Sequence, residues 1–464
     1  MFHDAKLTYI FHLTFDYFVF FSIILQSIFE KIKKRSMKKL LVSGLLLGFG
    51  VVSAMAQSGT KSPYSQYGLG VLSDQSQGFN RGMAGLFQGL RSGNQVNMQN
   101  PASYSAVDSL SMIVDLGVSG TLTNFKEGDA KVNAKTANFE YATALFRIMP
   151  KFGVSVGLVP YSNIGYSYST KQNVGTSSTI STTSFEGKGG FRQAYIGLGY
   201  ELFKGLSLGV NFSYFWGDFS RKITVASSDA YVKTLAKEYS ADASSYKLDF
   251  GAQYQHKLGQ NDLLTVGATL GLGHKINADP CLSVTNLDTQ TNIVAVSVDT
   301  VYNGLSIPMT IGAGIAYSHN RKLTVGADYQ WQRWSKESFP IVNEANNKFQ
   351  LSDNYYSDRH KMTVGADWIP QPMSRRFLNR VHYRIGASYA TPYLKIKGMD
   401  GPKEMTVTAG FGIPLVNSWN NRSVLNISFQ WTNLSAKNLV TENQFRVTIG
   451  LTFNERWFAK WKVD

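Results

Sequence analysis

Histidine, cysteine and serine residues are candidates for nucleophilic catalysis or for a zinc site, and their spacing in this sequence favours neither. A Ser–His or Asp–His hydrolase needs its partners held together, whereas the histidines beyond residue 56 are scattered. We find no G-x-S-x-G elbow in a strand-to-helix context and no H-E-x-x-H zinc motif. The single cysteine, Cys281, excludes an internal disulfide and a multi-cysteine metal site. We therefore expect no enzyme activity, no catalytic residue, no metal and no cofactor. The scattered histidines are His256, His274, His319, His360 and His382.

The composition excludes a bundle of transmembrane helices. The chain has 464 residues and a mean hydropathy of −0.14, whereas each helical span needs about 20 consecutive apolar residues. Charged residues make up only 17%, against about 25% in soluble proteins. Aromatic residues reach 13%. Few charges and many aromatics at moderate hydropathy indicate strands with one apolar face.

A two-residue alternation runs through most of the chain. Near the C-terminus, apolar residues occupy every second position of 445–453, and Arg, Thr and Gly occupy the positions between them. This period is typical of a strand with two unlike faces. It predicts about fourteen strands: 111–126, 136–149, 151–169, 189–203, 205–222, 244–258, 262–275, 304–318, 321–335, 358–370, 380–391, 403–416, 423–435 and 442–456.

The connections between these strands alternate in length. Short turns are predicted near residues 149–150, 203–205, 259–260 and 319–320, and long loops at 170–188, 223–243, 276–303 and 336–357. The Ser/Thr-rich stretch 172–184 reads as a solvated external loop. Short turns at one end and long loops at the other are typical of a bacterial outer-membrane barrel.

The two faces of the strands predict their environment. The apolar faces often end in Tyr, Trp or Phe, and the opposite faces carry Thr, Ser, Gly, Asn, Gln and Asp. An apolar outer face with aromatic ends and a polar lumen is the pattern of a membrane barrel. We therefore predict an all-β fold, a transmembrane antiparallel β-barrel of about fourteen strands in the bacterial outer membrane. An even strand count places both chain ends in the periplasm.

The N-terminal 56 residues are predicted to lie outside the fold. From Met37 the chain has two lysines, the apolar run 40–52 and Ala-Met-Ala at 54–56, which is a secretory signal peptide at 37–56 with cleavage after Ala56. Residues 1–36 then read as an over-extended gene start or as a membrane-associated extension. Without residues 1–56 the chain keeps 39 basic and 28 acidic residues, a net charge of +11. Because these charges are scattered, we expect contact with outer-membrane lipid and lipopolysaccharide, and no nucleic acid partner.

Residues 57–110 do not alternate, and they precede the barrel of residues 111–464. This segment is rich in glycine and also carries aromatics such as Tyr64 and Phe79, of which a disordered tail would have fewer. A barrel of about fourteen strands is too wide for its own side chains to fill. We therefore predict a compact hatch, or plug, that enters the lumen from the periplasmic end.

The end of this hatch carries a family resemblance. Asn100-Pro101-Ala102 closes the Gly-rich segment immediately before the first strand of a barrel of about fourteen strands. In this it resembles the FadL family of outer-membrane transporters of long-chain fatty acids and other hydrophobic compounds, and the similarity covers 57–464. The tail 459–464 runs past the usual terminal aromatic residue of such barrels.

The resemblance implies outer-membrane uptake of hydrophobic small molecules. In this family an inward kink in the third strand opens the wall, and ligand leaves sideways into the membrane. Here the third strand contains Gly153, Gly157 and Pro160. Proline cannot donate to a ladder and marks broken pairing, so we place a lateral gap at these residues, facing the Asn100-Pro101-Ala102 turn. The alternative is a bulge without a transport role. Pro308 in strand eight is a second candidate.

Charged residues of the hatch and lumen are candidates for binding the ligand or for holding the lumen together. Arg81 and Arg91 are candidate anchors for a ligand carboxylate, or they pair within the lumen. By parity Asp115 and Asp328 face inward, and Asp367 and Arg384 are expected to form an ion pair. The hatch residues proposed to contact ligand are Phe79, Arg81, Leu86, Phe87 and Arg91.

Two other functions remain open at this point. A FadL-like barrel can act as a shuttle or receptor in protein secretion or surface assembly, with protein partners bound by loops 223–243, 276–303 and 336–357. The second alternative is a general diffusion porin, although an open pore does not need a Gly-rich plug. The sequence does not separate a fatty acid from an aromatic hydrocarbon as the ligand.

Overall fold

The computed structural model describes residues 59–109, 111–174, 179–229, 231–343, 348–396, 398–415 and 423–456. The predicted extension 1–36, the signal peptide 37–56 and the tail 459–464 lie outside these residues.

Fourteen antiparallel strands form a closed barrel wall, which confirms the predicted fold class. The first and last strands pair with each other from Ser111–Arg456 to Lys126–Thr441 and close the wall. The wall strands are β1 Ser111–Glu127, β2 Ala130–Met149, β3 Phe152–Asn173, β4 Ile180–Phe203, β5 Leu206–Ser227, β6 Thr234–Lys257, β7 Asp262–Gly271, β8 Thr310–His319, β9 Leu323–Gln332, β10 Arg359–Trp368, β11 His382–Ala390, β12 Lys403–Leu415, β13 Ser423–Ser435 and β14 Thr441–Arg456.

Shorter elements lie before the wall and in its connections. None of the helices in the described ranges is long and apolar enough to cross a membrane. The helical elements are the α-helix Gly78–Arg81 and the 3-10 helices Pro63–Gln66, Pro101–Ala106, Trp334–Lys336 and Phe377–Arg380. The short strands are Val71–Leu72, His274–Ala278, Cys281–Leu287, Val294–Thr300, Leu305–Ile307, Phe339–Asn343, Lys348–Ser352, Lys395–Ile396 and Met399–Asp400.

One side of the wall is much taller than predicted. Strands β3 to β6 have 22, 24, 22 and 24 residues, whereas β7 to β9 have ten each. The prediction of long loops at 170–188 and 223–243 was therefore wrong, because most of these residues extend the strands. Threonine favours extended backbone, and inward aromatics such as Phe185 and Tyr239 pack against the buried core. The regions 276–303 and 336–357 likewise contain hairpins.

The outer surface of the wall has an apolar band between two rows of aromatic side chains. On β6, Tyr254 and Tyr246 are eight positions apart, which is about 26 Å along a strand and about 20 Å along the membrane normal at a tilt of about 40°. This height suits the hydrocarbon core, and the barrel spans the outer membrane with its short turns in the periplasm. The inner belt comprises Tyr200, Tyr254, Trp368, Tyr383 and Phe411, and the outer belt Tyr214, Tyr246, Tyr329, Trp431 and Phe445.

Candidate functional site

The N-terminal segment (residues 59–109) runs round the inside of the wall and touches it at glycines. Residues 78 to 104 meet β14 first and then the strands from β12 down to β3 in turn, so that this stretch follows the circumference of the barrel. These glycines form a ring round the inner surface of the wall. The glycine ring comprises Gly153, Gly199, Gly209, Gly251, Gly267, Gly312, Gly314, Gly326, Gly365, Gly386, Gly410 and Gly450.

At most of these glycines the backbone of the segment lies too close to the wall to leave room for a side chain. A Cβ at Gly267 would lie 1.8 Å from the carbonyl oxygen of Gln88, and one at Gly153 would lie 2.2 Å from that of Tyr104. Such distances are far inside van der Waals contact, which for carbon atoms begins at about 3.5 Å. The glycines therefore permit the backbone of the segment to lie flat on the wall.

Polar wall side chains fix the segment through its backbone. The carboxylate of Asp328 accepts hydrogen bonds from the N–H groups of Phe87 (2.6 Å) and Gln88 (2.9 Å). The Gln253 amide donates to the carbonyls of Gln88 (2.9 Å) and Leu90 (3.1 Å). Asp328 and Asp115 both lie buried and face inward as predicted. These contacts satisfy buried backbone groups, so they hold the segment in place.

The Asn100-Pro101-Ala102 turn begins a 3-10 helix against β4 to β6. The Asn100 side chain caps this helix by accepting from the N–H of Ala102, and its amide donates to the Gln88 carbonyl. Gly199, Gly209 and Gly251 face the turn. The turn itself thus faces β4 to β6, whereas Val71 and Leu72 of the N-terminal segment pair with β3 just beyond Pro160.

The two candidate anchor arginines are both held by wall carboxylates. Arg81 is fully buried, and its guanidinium lies 2.9 Å from the Glu140 carboxylate, which the sequence analysis did not identify. Arg91 lies 3.5 Å from the Glu201 carboxylate. Burial alone would raise the pKa of the neighbouring Asp74 carboxyl, but the Arg81 and Lys361 cations and Ser76 hydrogen bonds hold that pKa below its usual value. A ligand carboxylate would have to displace a glutamate from either arginine.

The apolar candidates of the N-terminal segment are buried against the wall. Phe79 and Leu86 pack in one cluster with Met83, Leu90 and the wall residue Ala316. Phe87 is also buried. The structure thus brings Phe79 and Leu86 together, and none of the three candidates belongs to the cluster of Tyr161 beside Pro160.

The ladder between β2 and β3 stops partway up the wall. Within the described residues, β3 pairs with β2 from Phe152 to Leu158 only, although it stays paired with β4 up to Asn173. The register with β4 shifts between Pro160 and Ser162, which is the broken pairing expected at a proline. Above Leu158 the edge of β3 is therefore released from its neighbour β2.

The N-terminal segment covers part of this released edge. Val71 and Leu72 pair antiparallel with Asn163 and Ser162 on the side that β2 has left. The Ser162 hydroxyl donates to the Leu69 carbonyl at 2.6 Å. Unpaired backbone at membrane depth is tolerated only where protein or a cavity covers it, and this short strand provides that cover.

The released stretch lies at membrane depth. Lys135 of β2 pairs with Leu122 of β1, which in turn pairs with Phe445 of the outer belt. The stretch of β2 below that level, down to Tyr141, thus lies inside the apolar band and has no β3 partner. Gly153 and Gly157 lie below the released stretch, where the two strands are still paired.

An apolar cluster fills the lumen beside the released edge. It is formed by the N-terminal segment, the upper parts of β3 to β6 and the extracellular connections. Aromatic rings pack edge-on and face-on, for example Tyr161 against Phe215 at 5.1 Å. We call it the outer apolar cluster; its members include Tyr64, Leu69, Tyr161, Ile164, Tyr166, Phe191, Phe215, Phe219, Trp334, Phe339, Tyr356 and Leu394.

The predicted ion pair between Asp367 and Arg384 is confirmed. The Arg384 Nε lies 3.3 Å from the Asp367 carboxylate on the adjacent strand, and the arginine side chain is almost wholly buried. Arg384 also donates to the Asn426 side chain at 2.6 Å. The pair stabilises the lumen wall below the outer apolar cluster.

Reversing one charge of this pair should impair assembly, and reversing both should restore it in part. Arg384→Glu places a carboxylate beside Asp367 in a buried site, and breaking a buried pair costs about 3–5 kcal/mol. The amount of folded barrel can be measured from its heat-modifiable migration in gel electrophoresis. We expect little folded barrel from Arg384→Glu, and more from Arg384→Glu with Asp367→Arg. A double variant no better than the single one would show that the pair contributes nothing.

Several solved structures share this fold. They include the toluene transporter TbuX of Ralstonia pickettii (TM-score 0.55, 16% identity, 82% of this chain and 97% of that one), and the toluene transporter TodX of P. putida (0.56, 14%, 86% and 100%). A FadL homologue of Pseudomonas aeruginosa is similar too (0.56, 13%, 82% and 98%). These identities establish a likeness of fold, and the FadL resemblance is supported at that level. No curated protein matches the chain.

A family model gives a closer relationship. The model described as BamG matches residues 36–464. This span contains the whole N-terminal segment, all fourteen wall strands and every connection between them. The chain therefore belongs to the BamG family.

Proposed function

We propose that this barrel takes up hydrophobic small molecules across the outer membrane and releases them sideways between β2 and β3. The observation that carries the proposal is the end of the β2–β3 ladder at the Ala142–Leu158 pair, at membrane depth. The fold that the barrel shares with the toluene transporters TbuX and TodX supports the same function.

The contents of the lumen favour a sideways route over a route into the periplasm. The glycine ring holds residues 78–104 of the N-terminal segment against the wall, and in this proposal that stretch blocks the periplasmic end. The outer apolar cluster lies above this block and includes Tyr161 and Ile164 of the released edge. Each CH₂ that such a cluster buries gains about 0.8 kcal/mol, so it suits a long-chain fatty acid or an aromatic hydrocarbon.

In this mechanism the short strand Val71–Leu72 acts as the gate. Ligand enters the outer apolar cluster from outside, and the two residues leave the edge of β3 to let it pass. Because Arg81 and Arg91 are engaged by Glu140 and Glu201, the proposal assigns the ligand no charged anchor there. Binding then depends on apolar burial.

Replacing the proline at the register shift tests this proposal. Pro160→Val supplies a backbone N–H donor and favours a straight β3 that is closed against its neighbour. One added hydrogen bond is worth about 1 kcal/mol, which shifts the equilibrium between the open and closed edge of β3 about fivefold. We expect uptake of radiolabelled oleate or toluene by cells to fall by about that factor, with normal barrel assembly. The control is Pro308→Val, because the prediction of Pro308 in strand eight was wrong: this residue precedes β8 and lies outside the wall strands. Equal uptake by Pro160→Val and wild type would contradict the proposal.

A role as a shuttle or receptor in secretion or surface assembly is favoured by a different observation. The strand Val294–Thr300 pairs with Cys281–Leu287 and with no other strand of the described chain, so its second edge is open. Val294, Val296 and Val298 on this strand are all more than half exposed. An open apolar edge can add a strand from another protein.

A further inference from the structure

The turn between β10 and β11 differs from the other described turns at the periplasmic end. It runs from residue 369 to 381, whereas the turns that follow β2, β4, β6 and β8 are a few residues long. It contains Arg375, Arg376 and Arg380 and no acidic residue. We call residues 369–381 the rim turn.

Hydrogen bonds within the rim turn give it a defined shape. The Gln371 N–H donates to the Asn379 carbonyl at 2.8 Å and closes the turn at its base. The Ser374 hydroxyl accepts from the Arg376 N–H (3.2 Å) and from the Asn379 amide (3.3 Å). The following 3-10 helix, Phe377–Arg380, fixes the last residues. The arginines are therefore presented on an ordered backbone.

The rim turn lies on the lipid side of the wall. The hydroxyl of Tyr383 donates to the Leu378 carbonyl at 3.1 Å. Tyr383 belongs to the inner belt, and its ring packs against Trp368 at 5.7 Å and Phe411 at 5.9 Å. This hydrogen bond places Leu378 beside the inner belt, at the level of the lipid headgroups.

The side chains of the rim turn combine exposed apolar groups with unpaired cations. Met373 is 92% exposed, Leu378 67% and Phe377 49%. None of the three arginines takes part in an ion pair within the described part of the chain. The Arg380 Nε is buried and has no hydrogen-bond acceptor. These arginines are thus available to an anionic group from outside the chain.

We propose that the rim turn binds an anionic phospholipid of the periplasmic leaflet. Phe377 and Leu378 contact the acyl region, and Arg375, Arg376 and Arg380 bind the phosphate. Guanidinium groups pair with phosphate through two parallel hydrogen bonds. Apolar side chains with cations at headgroup level are the pattern of an interfacial anchor. The inner belt is continuous with the turn through Tyr383, which favours a lipid over a periplasmic protein.

Native mass spectrometry of the detergent-purified barrel tests the proposal with phosphatidylglycerol as the probe. In the variant Arg375→Gln with Arg376→Gln, each lost cation should weaken binding about fivefold, so we expect about 25-fold in total. The matched control is Lys204→Gln with Lys322→Gln, which removes two exposed cations from other turns of the same end. We expect the control to bind as wild type does, and phosphatidylcholine to bind weakly to all three.

Four results would overturn the proposal. The rim-turn variant could retain wild-type phosphatidylglycerol binding. The control variant could lose as much phosphatidylglycerol binding as the rim-turn variant does. Equal binding of phosphatidylcholine by the wild type would show that the cations do not select an anionic lipid. Loss of a periplasmic protein from the rim-turn variant without any change in lipid binding would assign the turn to that protein. Uptake does not enter this test, so its outcome is independent of the proposed transport function.

Discussion

A single methyl group at Gly267 should dislodge the N-terminal segment from the wall. In Gly267→Ala the new Cβ would meet the Gln88 carbonyl oxygen at 1.8 Å, and backbone on both sides leaves no flexible group to move. Ordinary overpacking of a core costs about 1–3 kcal/mol. A cost of about 2 kcal/mol would open the segment roughly thirtyfold more often.

Limited trypsin digestion measures this opening, because Arg81 is buried and Arg91 nearly so in the closed segment. We expect Gly267→Ala to be cut at these arginines roughly thirtyfold faster than wild type. Gly120→Ala is the matched control, since a Cβ there meets no atom within 4 Å. If Gly267→Ala does not assemble, Gly410→Ala serves instead, because its nearest neighbour is the Gly82 Cα at 2.9 Å. A cutting rate equal to that of the control would show that the segment is not held on the wall at Gly267.

Tying the short strand to β3 should abolish uptake. Leu72 and Ser162 are directly paired, and paired antiparallel residues have Cα atoms about 4.5–5.5 Å apart, which a disulfide can bridge. In Leu72→Cys with Ser162→Cys, on a Cys281→Ser background, the oxidised protein cannot release the edge of β3. We expect uptake of radiolabelled oleate or toluene to fall to the level of cells without the barrel, and to return on reduction.

The control for this lock is a disulfide that crosses a ladder the mechanism does not open. Thr170 and Thr183 are paired between β3 and β4 in the tall part of the wall, so Thr170→Cys with Thr183→Cys should leave uptake unchanged in both redox states. A fully oxidised Leu72–Ser162 lock that transports as fast as its reduced form would exclude the gate.

Local patterns in the sequence predicted the wall and some of its contacts. Each wall strand alternates with period two, and that parity alone placed Asp328, Asp367 and Arg384 inside the lumen. The proline rule located the register shift at Pro160, which the pairing of β3 with β4 contains. These features depend on neighbouring residues, so sequence reasoning reaches them.

Features that depend on the path of the chain were not predicted. The upper part of the tall wall was predicted as loops, because the Ser, Thr and Gly residues of 170–188 resemble a solvated stretch. In the structure Phe185 of this stretch packs inward against the buried core. Glycine recurs at inward positions of the strands, and this recurrence is visible in the sequence. Its reason is the path of residues 78–104 along the wall, which the sequence does not show. Glu140 was not predicted to pair with Arg81, because the two residues are distant in sequence.

Binding of hydrophobic small molecules by the barrel underlies the proposed transport. It can be measured by mass spectrometry of the small molecules extracted from the detergent-purified barrel, beside a matched control barrel. We expect an enriched fatty acid or other hydrophobic compound, and less of it from the oxidised Leu72–Ser162 lock prepared before exposure to ligand. No enrichment over the control barrel, with exported proteins co-purifying instead, would exclude this transport and favour the secretion or surface-assembly role.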